Sequence, residues 1–167
     1  MKEETTLMSQ ILNAILANDY ASAINIITDK DFNPNEVSEF WGTPIITGLV
    51  IALSLTENDL IAVKEILTGI IANKNFNPNI MDSEGETVLM HIAKHKKFNW
   101  LVPVIFNTGK VDLSIKNFMH HDLFHIAKTH NNNEMLEIIS SIKNEHHKGL
   151  PVKRVGIKSK HVKSHNL

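Results

Sequence analysis

The sequence predicts an all-α protein, a helical repeat solenoid followed by a basic C-terminal tail. Two tetrapeptides are identical, Phe32-Asn-Pro-Asn35 and Phe76-Asn-Pro-Asn79. A second motif, Leu89-Met-His-Ile-Ala-Lys94, recurs 34 residues later as Leu123-Phe-His-Ile-Ala-Lys128. Two motifs that recur at this spacing indicate a repeat architecture. We therefore expect about four units, each with two helices and an extended loop.

The first two units are predicted from the helical spacing of their apolar residues. Residues 7–16 and 20–28 each place apolar side chains on one helix face, and the pair Asn18-Asp19 separates them. In the second unit Pro44 suits a first helical turn, where its missing N–H is not needed. A longer helix is expected over residues 60–72.

The third and fourth units repeat this plan with shorter helices. Helices are expected over residues 88–94 and 100–106, and Gly109 is well placed to end the second of them in a left-handed conformation. The last pair is expected over residues 122–128 and 134–142. Isolated helices this short are marginal in water, so they must be stabilised by packing side by side.

The resemblance to a known family lies in the segments that open these units. The third begins Asp82-Ser-Glu-Gly85-Glu-Thr87-Val-Leu89-Met-His-Ile-Ala93, and the second begins Trp41-Gly42-Thr43-Pro44-Ile45. Both resemble the opening of ankyrin repeats, in which Asp, Gly, Thr, Pro and Leu precede a helix of small residues. Val88 stands where that family usually has Pro. The resemblance covers residues 5–142 and implies a protein-binding scaffold, with a concave face of loop tips and inner helices and no family-wide catalytic residue.

The charge distribution divides the chain into two parts. Residues 1–142 carry 10 Lys/Arg and 17 Asp/Glu, whereas residues 143–167 carry 7 Lys/Arg and one acid. We therefore predict a repeat domain at 1–142 and a basic tail rich in Lys and His at 143–167.

Composition and motifs exclude several functional classes. The chain has no cysteine, and its longest apolar stretch, residues 44–55, is shorter than the roughly 20 residues of a membrane-spanning helix. No Gly-x-Ser-x-Gly elbow and no glycine-rich phosphate loop is present. We expect a cytoplasmic protein that is not an enzyme, uses no cofactor and does not enter a membrane.

Candidate partner-binding residues lie near the predicted loop tips. Aromatic side chains are enriched among binding hot spots, although they also serve as ordinary core. The candidates on the body are Phe40, Trp41, Ser83, Glu84, Glu86, Phe118, Met119 and His120. In the tail they are Lys153, Arg154, Lys158, Lys160 and Lys163, which suit nucleic acid or an acidic protein surface. A solubilising tail is the alternative interpretation.

Two histidine pairs are the only candidates for a metal site. His91 and His95 are four residues apart on one predicted helix, as are His121 and His125 at the next. A zinc or nickel site is conceivable there, but no carboxylate or thiol joins the pairs at ligand spacing. We therefore expect that His91 and His125 are one repeat position used twice, packing and hydrogen-bonding to an adjoining loop, with no bound metal.

These features together predict a non-catalytic scaffold for protein–protein interaction. The Asn-, Ile- and Lys-rich composition resembles that of phage, viral and intracellular bacterial ankyrin proteins that act on host proteins. The alternative is a structural or assembly component, as in a virion, whose basic tail docks on a neighbouring subunit or on nucleic acid. The partner and the oligomeric state do not follow from the sequence.

Overall fold

The computed structural model describes residues 6–39, 42–56 and 60–147. In these ranges the chain forms eight α-helices, a short 3-10 helix and no β-strand, which confirms the all-α prediction for this part of the protein. The α-helices are α1 (Leu7–Leu16), α2 (Tyr20–Thr28), α3 (Ile45–Ser54), α4 (Leu60–Ala72), α5 (Val88–Lys94), α6 (Leu101–Phe106), α7 (Leu123–Thr129) and α8 (Asn133–His147). The 3-10 helix, Lys96–Phe98, lies between α5 and α6.

Short-range hydrogen bonds set the ends of several helices. Thr6 caps α1 by accepting a hydrogen bond from the backbone N–H of Ser9 at 3.2 Å. Asp19 caps α2 in the same way, through the N–H of Ser22 at 3.1 Å. Such caps satisfy N–H groups that have no partner within the helix. After α6, Gly109 adopts the predicted left-handed conformation with φ 69°.

The helices pack in two rows around one core. Helices α1, α3, α5 and α7 contact one another in succession, and α2, α4, α6 and α8 do the same. Contacts of α1 with α2 and of α7 with α8 join the rows. The largest fully buried side chains come from both rows and from the loops between them, and they include Ile11, Leu49, Ile66, Phe76, Ile92 and Phe98. Each helix is thus stabilised mainly by its neighbours.

The last helix crosses the boundary predicted from charge. Helix α8 ends at His147 rather than at residue 142, so the first residues of the predicted basic tail belong to a helix. Residues 148–167, which include all five tail candidates, lie outside the described residues.

Candidate interaction surface at the hairpin tips

Three tight hairpins precede α3, α5 and α7. In the first hairpin Val37 and Pro44 form an isolated β-bridge, and the N–H of Ser38 donates to the carbonyl of Thr43 at 3.0 Å. The second spans residues 82–86, and the third spans residues 116–122 with a bridge between Lys116 and Asp122. Each hairpin therefore projects a turn from the start of a helix in the row α3, α5, α7.

The second and third hairpins have the same conformation, and in each of them one Asp or Asn side chain stabilises the turn. Asp82 Oδ1 accepts hydrogen bonds from the backbone N–H groups of Glu84 and Glu86, both at 2.9 Å. At the position 35 residues later, Asn117 Oδ1 accepts from the N–H groups of Met119 at 3.1 Å and His121 at 2.9 Å. Asx side chains commonly stabilise turns in this way. Glu84 and Met119 are therefore equivalent positions at successive tips.

The hairpin tips lie against one another in chain order. A Cβ placed on Gly42 would be 3.2 Å from Cβ of Ser83, so the first tip faces the second. The backbone N–H of Phe118 donates to the carbonyl of Glu84 at 3.1 Å. A Cβ on Gly85 would be 2.8 Å from Cδ1 of Phe118, and Gly85 has φ 77°, so only glycine fits there without strain. The tips form one continuous surface, hereafter the tip surface.

Five of the eight candidates on the body are exposed on this surface. Ser83, Glu84 and His120 are exposed, and the relative exposure of Phe118 and Met119 is 69% and 72%. Both apolar side chains belong to the turn whose backbone is held by hydrogen bonds to the side chain of Asn117. The candidates Phe40 and Trp41 lie outside the described residues.

Glu86 is a correction to the sequence interpretation, because its side chain is buried rather than exposed. One carboxylate oxygen accepts a hydrogen bond from the side-chain amide of Asn117 at 3.1 Å, and the other forms a salt bridge with Lys94. Glu84, two residues earlier, points to solvent. Adjacent hairpins enclose Glu86, and a buried carboxylate requires such partners.

The same cluster revises the expectation that no carboxylate approaches the histidines. His91 Nε2 lies 2.7 Å from Asp82 Oδ2 and 3.4 Å from Glu86 Oε2, and all three residues offer ligand atoms within 4.8 Å of one another. These atoms already have partners, because His91 bonds to Asp82 and Lys94 bonds to Glu86. The arrangement is therefore a largely buried network of hydrogen bonds, with a salt bridge between Glu86 and Lys94, that joins α5 to the second and third hairpins.

The predicted histidine pairs have different surroundings. His91 bonds to the hairpin that opens its own unit, as expected for a packed repeat position. Burial, together with the neighbouring His91 and Lys94, lowers the pKa of His95 below its ordinary value. The rings of His121 and His125 stack with their centroids 3.9 Å apart. His91 is buried and His125 is exposed. Helices α5 and α7 begin 35 residues apart, at Val88 and Leu123, so Ile126 rather than His125 occupies the position of His91, and the two histidines are not one repeat position.

The repeated FNPN motif connects consecutive loops, a role that the sequence interpretation did not assign. The side-chain amide of Asn35 donates to the carbonyl of Asn75 at 2.7 Å, and its oxygen accepts from the N–H of Asn77 at 2.8 Å. Asn79 repeats this pair of bonds with the carbonyl of Lys110 at 2.7 Å and the N–H of Asp112 at 3.0 Å. The identity of the two tetrapeptides was the signal in the sequence that could have indicated this shared role.

A buried asparagine pair also joins the third and fourth units. The side-chain amides of Asn99 and Asn132 bond reciprocally at 2.8 and 2.9 Å. Asn132 additionally donates to the carbonyl of Ala93 at 3.1 Å and caps α8 through the N–H of Met135 at 3.2 Å. The polar run His130-Asn-Asn-Asn133 predicted only a break between helices.

A groove of about 360 Å³ lies between α4 and α6, in the row of helices that does not follow the hairpins. Its lining includes Thr68, Asn73, Val104 and Lys110. The ammonium group of Lys110 donates to the carbonyls of Lys74 and Phe76 at 2.7 and 2.9 Å, so it stabilises the loop that follows α4. The lining residues bring no acid–base pair together.

Comparisons with protein families and with curated proteins give no match from which a function could be transferred. No protein-family model matches this sequence, and no curated protein gives a significant match. Among the described residues, none of the helices has the length and apolar character needed to cross a membrane.

Proposed function

We propose that this chain is an ankyrin-type helical repeat protein that binds another protein through its tip surface and performs no catalysis. Three features support the ankyrin-type arrangement. The helices contact one another in two rows, a hairpin precedes each of α3, α5 and α7, and equivalent hydrogen bonds recur at a spacing of 35 residues. In such arrays recognition resides in exposed side chains on a generic frame.

The exposure of Phe118 and Met119 is the observation that carries the binding role. Two adjacent large apolar side chains at a rigid turn lose little conformational freedom on binding, so their burial contributes favourably to association. Each would contribute about 1.5–3 kcal/mol when fully buried. Glu84 and Ser83 border them with polar groups, as at the rim of many interfaces.

Affinity purification with matched variants tests this role. The full chain and the double variant Phe118→Ser/Met119→Ser are used as baits in extracts of the native host. We expect a protein partner that the unmodified chain retains and the double variant loses. The purified partner should then bind the variant at least about tenfold more weakly, the equivalent of about 1.4 kcal/mol.

The control is Leu55→Ser, because Leu55 is 83% exposed between α3 and α4, away from the hairpins. This variant should retain the partner. Equal retention by all three baits would contradict the assignment of the tip surface. Retention of nucleic acid or of further copies of the chain, without another protein, would favour an assembly component instead.

A further inference from the structure

We propose that the chain's own C-terminal segment, residues 148–167, docks on the exposed end of the tip surface and covers Phe118 and Met119 in the absence of a partner. This end of the tip surface is formed by the third hairpin, which is the last hairpin in the described residues. Three contacts that join earlier units have no counterpart there among the described residues.

Two of these contacts concern the backbone and the tip side chains. The Glu84 carbonyl receives the N–H of Phe118, but no described residue donates to the equivalent carbonyl of Met119. Gly85 is covered by the Phe118 ring, whereas the equivalent His120 is exposed. A backbone carbonyl that lacks a donor among the described residues, and that lies beside apolar side chains, is a suitable edge for an added extended segment.

The third contact concerns a polar side chain. Asn79 bridges to the following loop, but Ser114, at the equivalent position, donates to Asp112 of its own loop at 2.6 Å. The third hairpin thus has the surface of an internal unit, and no described residue covers it as the third hairpin covers the second.

Charge and reach select the C-terminal segment as the occupant. It contains six Lys/Arg and no Asp/Glu, whereas residues 1–147 carry 11 Lys/Arg and 18 Asp/Glu. Glu84 supplies an exposed acid at the tip surface. The segment also interleaves Val152, Val155 and Ile157 with its basic residues, so it can offer apolar contacts to Phe118 and Met119.

The segment is long enough to reach this surface. It follows α8, which contacts α7, and α7 begins directly after the third hairpin. Helix α7 has 7 residues and α8 has 15 residues, which correspond to about 10 and 22 Å. Twenty extended residues span up to about 65 Å.

Limited trypsin digestion of the full chain tests the docking, because the segment carries cleavage sites after Lys153, Arg154 and Lys158. Cleavage is followed by intact mass. Proteolysis reports the population of the undocked form when docking exchanges rapidly. We expect Phe118→Ser/Met119→Ser to accelerate cleavage at these sites by about tenfold.

The controls separate docking from misfolding and from association. Leu55→Ser should leave the cleavage rate unchanged, and circular dichroism should show equal helix content in all variants. Met119→Ser alone, which removes only an exposed side chain, should give an intermediate rate. Equal cleavage rates in the unmodified chain and the double variant would overturn the proposal, as would protection that disappears on dilution. The assay contains no foreign partner, so its outcome is independent of the binding role proposed above.

Discussion

Replacing Glu86 with alanine should destabilise the protein far more than the same change at Glu84, although both residues belong to one hairpin. Glu86 is 3% exposed, and its carboxylate contacts Asn117, Lys94 and His91. Glu84 is exposed. The two alanine variants therefore remove the same side chain from buried and solvated environments.

The expected magnitude follows from the partners that remain. In Glu86→Ala the buried amide of Asn117 loses an acceptor, at a cost of about 1–3 kcal/mol. Breaking a buried ion pair costs about 3–5 kcal/mol, but the side chain of Lys94 is 25% exposed and can rehydrate, so only part of this applies. We expect a total loss of about 3 kcal/mol, against about 0.5 kcal/mol or less for Glu84→Ala.

Thermal unfolding followed by circular dichroism measures the difference. For a domain of this size the midpoint should fall by about 6–12 °C in Glu86→Ala and by about 2 °C or less in Glu84→Ala. Glu86→Gln keeps an acceptor for Asn117 but loses the charge that faces Lys94, so its midpoint should lie between them. Indistinguishable midpoints for the two alanine variants would refute the burial of Glu86 and the network built on it.

Two further perturbations test the loops and the histidines. Asn79→Ala removes two hydrogen bonds to the following loop and should lower the free energy of unfolding by about 1 kcal/mol in urea titrations. The control Asn25→Ala, on the exposed face of α2, should change that free energy by less than half as much. Equal effects of the two substitutions would contradict the bridging role of Asn79. Burial lowers the pKa of His95, so the unfolded chain binds its proton more readily than the folded chain does. Stability should therefore decline as pH falls below 6.5, the ordinary value, and His95→Gln should decline less; parallel pH profiles would contradict this.

Local interactions explain which parts of the fold were predictable. The periodicity that predicts α1 and α2 acts over three or four residues, and the caps at Thr6 and Asp19 bond to residues three positions away. The bounds of α1, α2, α4 and α5 accordingly agree with the predicted ranges. Helix α8 is longer than predicted, because its final residues are polar and lack the apolar periodicity on which the prediction depended.

The candidate site was predictable only in part. The tip positions of Ser83, Phe118 and Met119 follow from turn residues between helical segments, and the structure places them together on one surface. The burial of Glu86 has no local signal, because its partner Asn117 lies 31 residues away. Side-chain chemistry alone favoured solvent exposure, which is the usual state of Glu in a loop.

The sequence by itself determined the all-α class, the order of the helices in the described residues and the turns that separate them, since each depends on backbone bonding and side-chain spacing within a few residues. Tertiary structure alone decided which of two equivalent positions is enclosed, as with Gly85, which the Phe118 ring covers, and the exposed His120. Both residues occupy the same position in their hairpins, but the third hairpin packs against the second and no described hairpin packs against the far side of the third. Burial is a property of what lies next to a residue in space, and here that neighbour comes from a hairpin more than 30 residues away in the chain.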